Sequence, residues 1–164
     1  MVFELRTNFL DRLFGNLRKI GVDVSSLEMD HIAYKTSSEK EYFKLKPDFL
    51  KIGSLVKESI VRERKVGIFK LNIPWHYKDY SISAAELIAP KKDEIIKSGF
   101  EHAEFVLNES YKSFMEKYRH LSWDTSVMNS DLFSMIKLKL TEDMQVKFHQ
   151  MPILEIVEKE NPSN

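Results

Sequence analysis

A chain of 164 residues with 43% hydrophobic and 30% charged side chains, and only five Gly and five Pro, has the composition of a globular domain and no tract built for disorder. At that size about 70% of the unfolded surface is buried on folding. Lys plus Arg and Asp plus Glu both number 25, which argues against the basic field that nucleic-acid binding draws on and against an acidic tail. Cys is absent, which removes disulfides, thiolate metal ligands and a Cys nucleophile, and no apolar run approaches the roughly 18 residues of a membrane span. The opening Met-Val-Phe-Glu-Leu-Arg is not that of a signal peptide, so a cytoplasmic protein without membrane or nucleic-acid partners is expected.

From Phe3 to Ile20 the apolar residues Leu5, Phe9, Leu10, Leu13, Phe14, Leu17 and Ile20 recur at intervals of three and four, predicting an amphipathic helix stopped at Gly21. Its apolar stripe is expected to cover its own domain, with a partner or membrane as the alternatives. Residues 1–28 thus form an N-terminal helical extension. Met29 to Thr36 reads as a strand with His31, Ala33 and Lys35 on one face and Ile32, Tyr34 and Thr36 on the other. Ser37 and Ser38 are cap residues for a helix through Tyr42, Phe43, Leu45, Phe49 and Leu50, in which Pro47 is expected to break or restart the helix and Gly53 to end it. Strands come next at Leu55–Val61, Val66–Ile73 and Ile82–Ile88, making residues 29–90 a βαβββ module.

Ala89 to Asp93 reads as a linker, with a helical turn expected over Asp93 to Lys97. Residues 91–160 repeat the pattern, with a strand at Glu101–Leu107, a helix near Ser110–His120 and strands near Ser134–Leu140, Met144–Phe148 and Ile153–Glu158. Trp123 to Asp131 is a polar connection with room for one more short strand. Residues 161–164 form a frayed tail, and the two modules together make one structural domain.

Two matched pairs stand out. His31 and His102 each open an apolar strand, Glu86 and Glu155 each precede an apolar pair, and each His lies at nearly the same distance in the chain from its Glu. Two imidazoles and two carboxylates brought together by duplicated halves suit a divalent metal such as Zn, Ni, Mn or Fe. A Glu set among aliphatic neighbours needs a cation, a hydrogen-bond partner or a raised pKa. The alternative for each residue alone is a solvated Glu on an edge strand or a hydrogen-bonded structural His.

Asp30-His31-Ile32-Ala33, Glu86-Leu87-Ile88-Ala89-Pro90, Phe100 through Leu107, Val146-Lys147-Phe148-His149 and Leu154-Glu155-Ile156-Val157 together resemble the YecM family of bacterial proteins. That resemblance covers nearly the whole chain. It implies the vicinal oxygen chelate superfamily, with glyoxalase I, methylmalonyl-CoA epimerase, bleomycin-resistance proteins and ring-cleaving dioxygenases. The implied fold is α+β, with two βαβββ modules curled into a barrel-like mixed sheet around a metal cleft, and the added N-terminal helix is a departure from glyoxalase I. The implied metal ligands, on the first and last strands of each module, are His31, Glu86, His102 and Glu155.

A dication held there polarises two neighbouring oxygens of a small substrate, so a carboxylate can take a proton from carbon next to a carbonyl. Glu155 is the first candidate for that base and Glu86 the symmetric one. Glu104, on the face of His102, is an outer partner, a substitute ligand or a solvated group. Lys147 and His149, and Lys137 and Lys139 on the preceding strand, make either a cationic wall for an acidic substrate or a solvated face. His76 reads as a surface loop residue and His120 as a helix-end residue. The expected function is a metal-dependent isomerase, epimerase or lyase acting on a small oxygenated molecule, as a monomer rather than a homodimer. The alternatives are a non-haem Fe(II) ring-cleaving oxygenase, a non-catalytic ligand-sequestering protein of the bleomycin-resistance type, and a scaffold docking through its N-terminal helix.

Overall fold

The computed structural model describes residues 2–131 and 133–161. After a 3-10 turn at Val2–Glu4, helix α1 (Leu5–Lys19) precedes strand β1 (Glu28–Lys35), helix α2 (Glu39–Ile52) and strands β2 (Gly53–Val61), β3 (Arg64–Tyr77) and β4 (Tyr80–Ile88). The second half holds β5 (Gly99–Val106), α3 (Tyr111–Lys117), β6 (Ile136–Thr141), β7 (Met144–His149) and α4 (Ile153–Glu160). The seven strands form one curled mixed sheet in the order β2-β3-β4-β1-β5-β7-β6. The halves meet at the antiparallel pair β1–β5, and each extends outward through a parallel pair, β1–β4 in the first and β5–β7 in the second.

Alternation along the strands gives the sheet two faces of different character. Ile32, Tyr34, Phe69, Leu87, Ala103, Phe105, Val146 and Phe148 form the large core with Phe9, Leu10, Leu13 and Leu17 of α1, Phe49 of α2 and Phe114 of α3. Phe9 meets Phe100 at 5.7 Å between ring centres and Phe14 meets Phe105 edge-on at 6.3 Å, so α1 covers its own sheet. The opposite face carries the smaller apolar cluster of Ala33, Val66, Ile68, Ala84, Ile88, Ile153 and Val157, beside a group of buried charged side chains.

Four elements differ from the sequence reading, the first being β3, which runs on past the expected Ile73 to Tyr77 and so carries His76 on a strand rather than in a loop. Helix α2 runs unbroken through Pro47, because Pro47 lies on the exposed side, where the carbonyl it frees one turn earlier can be hydrated. The linker turns at Lys92–Asp93 without a helical segment over residues 93–97. The strand expected at Ile153–Glu158 is instead helix α4. Both edges of β7 are already paired, with β5 and β6, which leaves no place beside it for a further strand. Ile153 and Val157, one helical turn apart, pack on the smaller apolar cluster. Of the expected frayed tail, Asn161 caps α4 and residues 162–164 lie outside the described residues. The connection between α3 and β6 supplies the bridge Asp124–Lys137 in place of a full strand.

Glu94 fixes the linker between the halves. Its carboxylate accepts from Lys35 Nζ at 3.1 Å, Arg64 Nη2 at 2.8 Å and the Lys91 backbone N–H at 2.8 Å. Burial alone would raise its pKa, but the Arg64, Lys91 and Lys35 contacts outweigh it and bring the pKa down to about 2. A carboxylate with a depressed folded pKa contributes stability that is present above its unfolded pKa and is lost as pH falls through the folded value. Glu94→Gln is therefore expected to lower unfolding free energy by about 1–2 kcal/mol at pH 7. The gap between parent and variant should close toward pH 2 in urea titrations, and a gap independent of pH would refute this assignment.

Candidate metal centre

Strand register decides which of the chemistry-bearing residues converge. His31 lies opposite Glu104 and Ala33 opposite His102 across β1–β5, while Ala33 lies opposite Glu86 across β1–β4. Across β5–β7, Glu104 lies opposite Lys147 and Val106 opposite His149. Residues opposite one another share a face, so His31, Glu86, His102, Glu104, Lys147 and His149 all emerge on the side away from α1, α2 and α3, the side on which α4 packs.

Their side chains form one buried group. His31 Nε2 is 3.6 Å from Glu86 Oε1 and 3.5 Å from Glu104 Oε1, and His102 Nε2 is 3.5 Å from Glu86 Oε2 and 3.3 Å from Glu104 Oε1. One donor atom from each of these four residues lies within 4.8 Å of all the others. Lys147 Nζ sits 2.9 Å from His102 Nε2 and 3.2 Å from Glu104 Oε1. Glu86, His102, Glu104 and Lys147 form the floor of a cleft of about 370 Å³ walled by Val66, Ile68, Phe133 and Lys137, with Arg62 exposed at its edge and His31 fully buried behind the floor.

The structure thus brings together His31, Glu86 and His102, and adds Glu104 as the fourth donor. Glu155 is not in this group: it is exposed in the first turn of α4, and the strand assignment that aimed it at the cleft does not hold. Lys139 is exposed and pairs with Glu142 at 3.1 Å, and Lys137 pairs with Asp124 at 3.3 Å. His76 is exposed on β3, and His120 lies after α3, 3.4 Å from the Ile20 carbonyl.

Each imidazole is held from behind by the acid that precedes it. His31 Nδ1 donates to Asp30 Oδ2 at 2.8 Å and His102 Nδ1 donates to Glu101 Oε2 at 2.6 Å. Neighbours on a regular strand point to opposite faces, but the β1–β5 pairing is interrupted at Asp30 and again at Glu101. Each interruption leaves one acid as the extra residue and turns it to the side of its His. A Nδ1–H bonded to carboxylate leaves each Nε2 facing Glu86 and Glu104, the arrangement by which outer carboxylates orient metal-binding histidines in general. Sequence reasoning assigned Asp30 and Glu101 no role, although an acid directly before each His was the visible signal. Glu101 is braced in turn by the Gln145 amide, and Asp30 accepts from the Ile153 N–H at 3.0 Å, capping α4.

The electrostatics fit a cation. Burial disfavours charge on His31, yet the Glu104 and Glu86 carboxylates outweigh it and hold its pKa well above the ordinary value. Burial and Lys147 both oppose charge on His102, and Glu101 and Glu104 overcome them, lifting it to about 9. Glu86 and Glu104 are buried, which alone would raise their pKa values, and the facing His31 charge pulls both well below the carboxylate range. His31 Nε2 and His149 Nε2 are buried with no hydrogen-bond partner among the described residues. An imidazole nitrogen that faces two carboxylates without a hydrogen bond, as His31 Nε2 does, suits a metal-binding donor set.

Comparison with known proteins agrees with this architecture. Protein YecM of Escherichia coli (strain K12) is 28% identical over 99 residues, covering 60% of this chain and 53% of the relative. The chain spans about half the length of the curated relatives it matches. The solved structure of a structural-genomics protein, EC4020, superposes with a TM-score of 0.80 at 23% identity, covering 98% of this chain and 91% of its own. Methylmalonyl-CoA epimerase from Mycobacterium tuberculosis shares the fold at a TM-score of 0.52 and 11% identity, over 78% of this chain and 91% of its own. Residues 2–145 match the YecM protein family. With that match running from the start of α1 through both histidine strands and into β7, the chain belongs to the YecM family.

Proposed function

We propose that this protein is a metal-dependent enzyme that moves a proton at carbon next to a carbonyl in a small oxygenated substrate, as an isomerase, epimerase or lyase of the vicinal oxygen chelate type. The observation that carries this reading is the buried set of two imidazoles and two carboxylates, three of whose members, Glu86, His102 and Glu104, line one cleft. His31, His102, Glu86 and Glu104 would hold the ion. Zn, Ni, Mn and Fe all accept such donors, and a bound dication supplies Lewis acidity toward substrate oxygens. Glu86 is the group we assign to proton transfer, on leaving the ion, because it is more exposed than Glu104 and, among the described residues, its oxygens pair only with imidazole nitrogens. Asp30 and Glu101 hold the two imidazoles in the ligating tautomer. The fold shared with methylmalonyl-CoA epimerase supports this class and suggests methylmalonyl-CoA as a first probe.

The test is elemental analysis of protein purified without a chelating tag, with His31→Ala and His102→Ala alongside. About one equivalent of metal in the parent, lost from both variants, is expected; metal retained in both would remove the site. Exchange of the probe's acidic C–H in deuterium oxide should require the metal and, at equal metal occupancy, fall by about 10²–10⁴-fold in Glu86→Gln. Equal exchange by that variant would reassign the base.

A further inference from the structure

The acids behind the two imidazoles differ in what lies beyond them. Beyond Glu101 is an amide, Gln145. Beyond Asp30 is a third imidazole, His149, whose Nε2 lies 3.2 Å from Asp30 Oδ2 and 3.7 Å from Glu104 Oε2 and makes no hydrogen bond among the described residues. His149 is 3% exposed, which keeps bulk water from that nitrogen. One donor atom from each of Asp30, His31 and His149 lies within 4.8 Å of the other two. His149 also lines a second pocket, of about 360 Å³, with Tyr111, Ser134 and Met151, and this pocket shares no lining residue with the cleft.

Resting on the metal-centre reading, we propose that Asp30, His31 and His149 form a second divalent metal site, bridged to the first by the His31 imidazole. Two imidazoles and one carboxylate suit Zn²⁺ or Cu²⁺ rather than Mg²⁺ or Ca²⁺, which take oxygen donors. Donors held tetrahedrally at about 2.0–2.1 Å from Zn²⁺ stand about 3.3–3.4 Å apart. Asp30 Oδ2 and His149 Nε2 are already near that spacing, whereas Asp30 Oδ2 and His31 Nδ1, at 2.8 Å, have to part slightly. Asp30 can make that movement because the Ile153 N–H reaches both of its oxygens, at 3.2 and 3.0 Å, and can rest on Oδ1 when Oδ2 turns to an ion.

The charges in direct contact leave room for a second dication. Asp30, Glu86, Glu101 and Glu104 bring four negative charges and Lys147 one positive, and imidazoles are neutral when they ligate. One dication in the first site therefore leaves the group with a single negative charge. A second takes the place of the proton on His31 Nδ1, which leaves to solvent, and the group becomes neutral. The order of filling follows. An ion on Nε2 acidifies the opposite N–H of the ring as a metal acidifies its bound water, so the second ion enters after the first and more weakly, and protein purified without added metal keeps the first alone.

The test is titration of Cu²⁺ into metal-stripped parent and His149→Gln, read by calorimetry and by electron paramagnetic resonance. Both proteins carry His76→Gln and His120→Gln, so that exposed imidazoles take no ion. The parent should bind about two equivalents, the second at least about tenfold more weakly, and His149→Gln about one. The resonance given by the first equivalent in the parent should fade as the second binds, because two Cu²⁺ spins joined through one imidazolate pair. A single equivalent in the parent overturns the second site and leaves the first standing. A second equivalent kept by His149→Gln overturns the assignment of His149, and one that adds its own resonance to the first overturns the bridge. Absence of Cu²⁺ binding in both overturns the metal centre and this inference together. Should His149→Gln fail to fold, His149→Phe keeps a ring and removes the donor, and is judged by the same outcomes.

Discussion

Glu104→Gln in metal-free protein is expected to cost about 3–5 kcal/mol of unfolding free energy, the loss seen when one partner of a buried ionic group is removed. Glu104 is 3% exposed, and its two oxygens face His102 and Lys147 at 3.3 and 3.2 Å and His31 and His149 at 3.5 and 3.7 Å. Gln keeps the volume and removes the charge, leaving the lysine and the imidazoles to face one carboxylate instead of two. The pH dependence sharpens the expectation. His31 and His102 have raised folded pKa values, so their contribution is full below the unfolded value near 6.5 and is lost as pH rises through the folded value, about 9 for His102. Glu86 and Glu104 are depressed, so theirs is present above the unfolded carboxylate value and is lost in acid. The metal-free parent should therefore be most stable between about pH 4.5 and 6.5 and weaken toward pH 9, and the variant should show a flatter curve. A variant with the parent's urea midpoint across that range would refute the account.

The strands carrying His31, Glu86 and His102 were legible because alternation marks them, and helix α1 because its apolar residues recur at three and four. Alternation also set Glu104 on the face of His102, which is why it could be weighed as a substitute ligand. What escaped was topology. Ile153-Leu154-Glu155-Ile156-Val157 has the branched apolar composition of a strand, and only the full pairing of β7 by β5 and β6 shows that no edge awaits it. The true last strand of the second half is therefore β7, and the residue matching Glu86 is Lys147 rather than Glu155. The bulges were equally hidden, since strict alternation sends Asp30 and Glu101 to the far face, and only the shifted register brings each onto its His. Pro47 was misread because propensity counts a lost hydrogen bond without knowing that water can replace it.

Those two bulged acids make the second large prediction, because they do the same work for the metal and different work for the fold. Asp30→Ala and Glu101→Ala each remove the carboxylate that fixes an imidazole tautomer, and each is expected to weaken metal binding by about 10–100-fold. Asp30 also accepts the Ile153 N–H and lies 3.2 Å from His149 Nε2, so of the two acids it is the one that bonds β1 to α4, where Pro152 offers no capping side chain. Glu101 is more exposed, and besides His102 it engages Gln145 on the neighbouring strand. Asp30→Ala should accordingly lose about 1.5–3 kcal/mol more than Glu101→Ala, the worth of buried hydrogen bonds to a charged acceptor. The loss should be local as well as global. Amides of Ile156 and Asn161, bonded to the Pro152 and Val157 carbonyls, should exchange faster in Asp30→Ala and at the parental rate in Glu101→Ala. Equal exchange in both variants would mean that α4 is held by Ile153 and Val157 packing on Ala33, Ile68 and Ile88 alone, and that Asp30 serves only the imidazole.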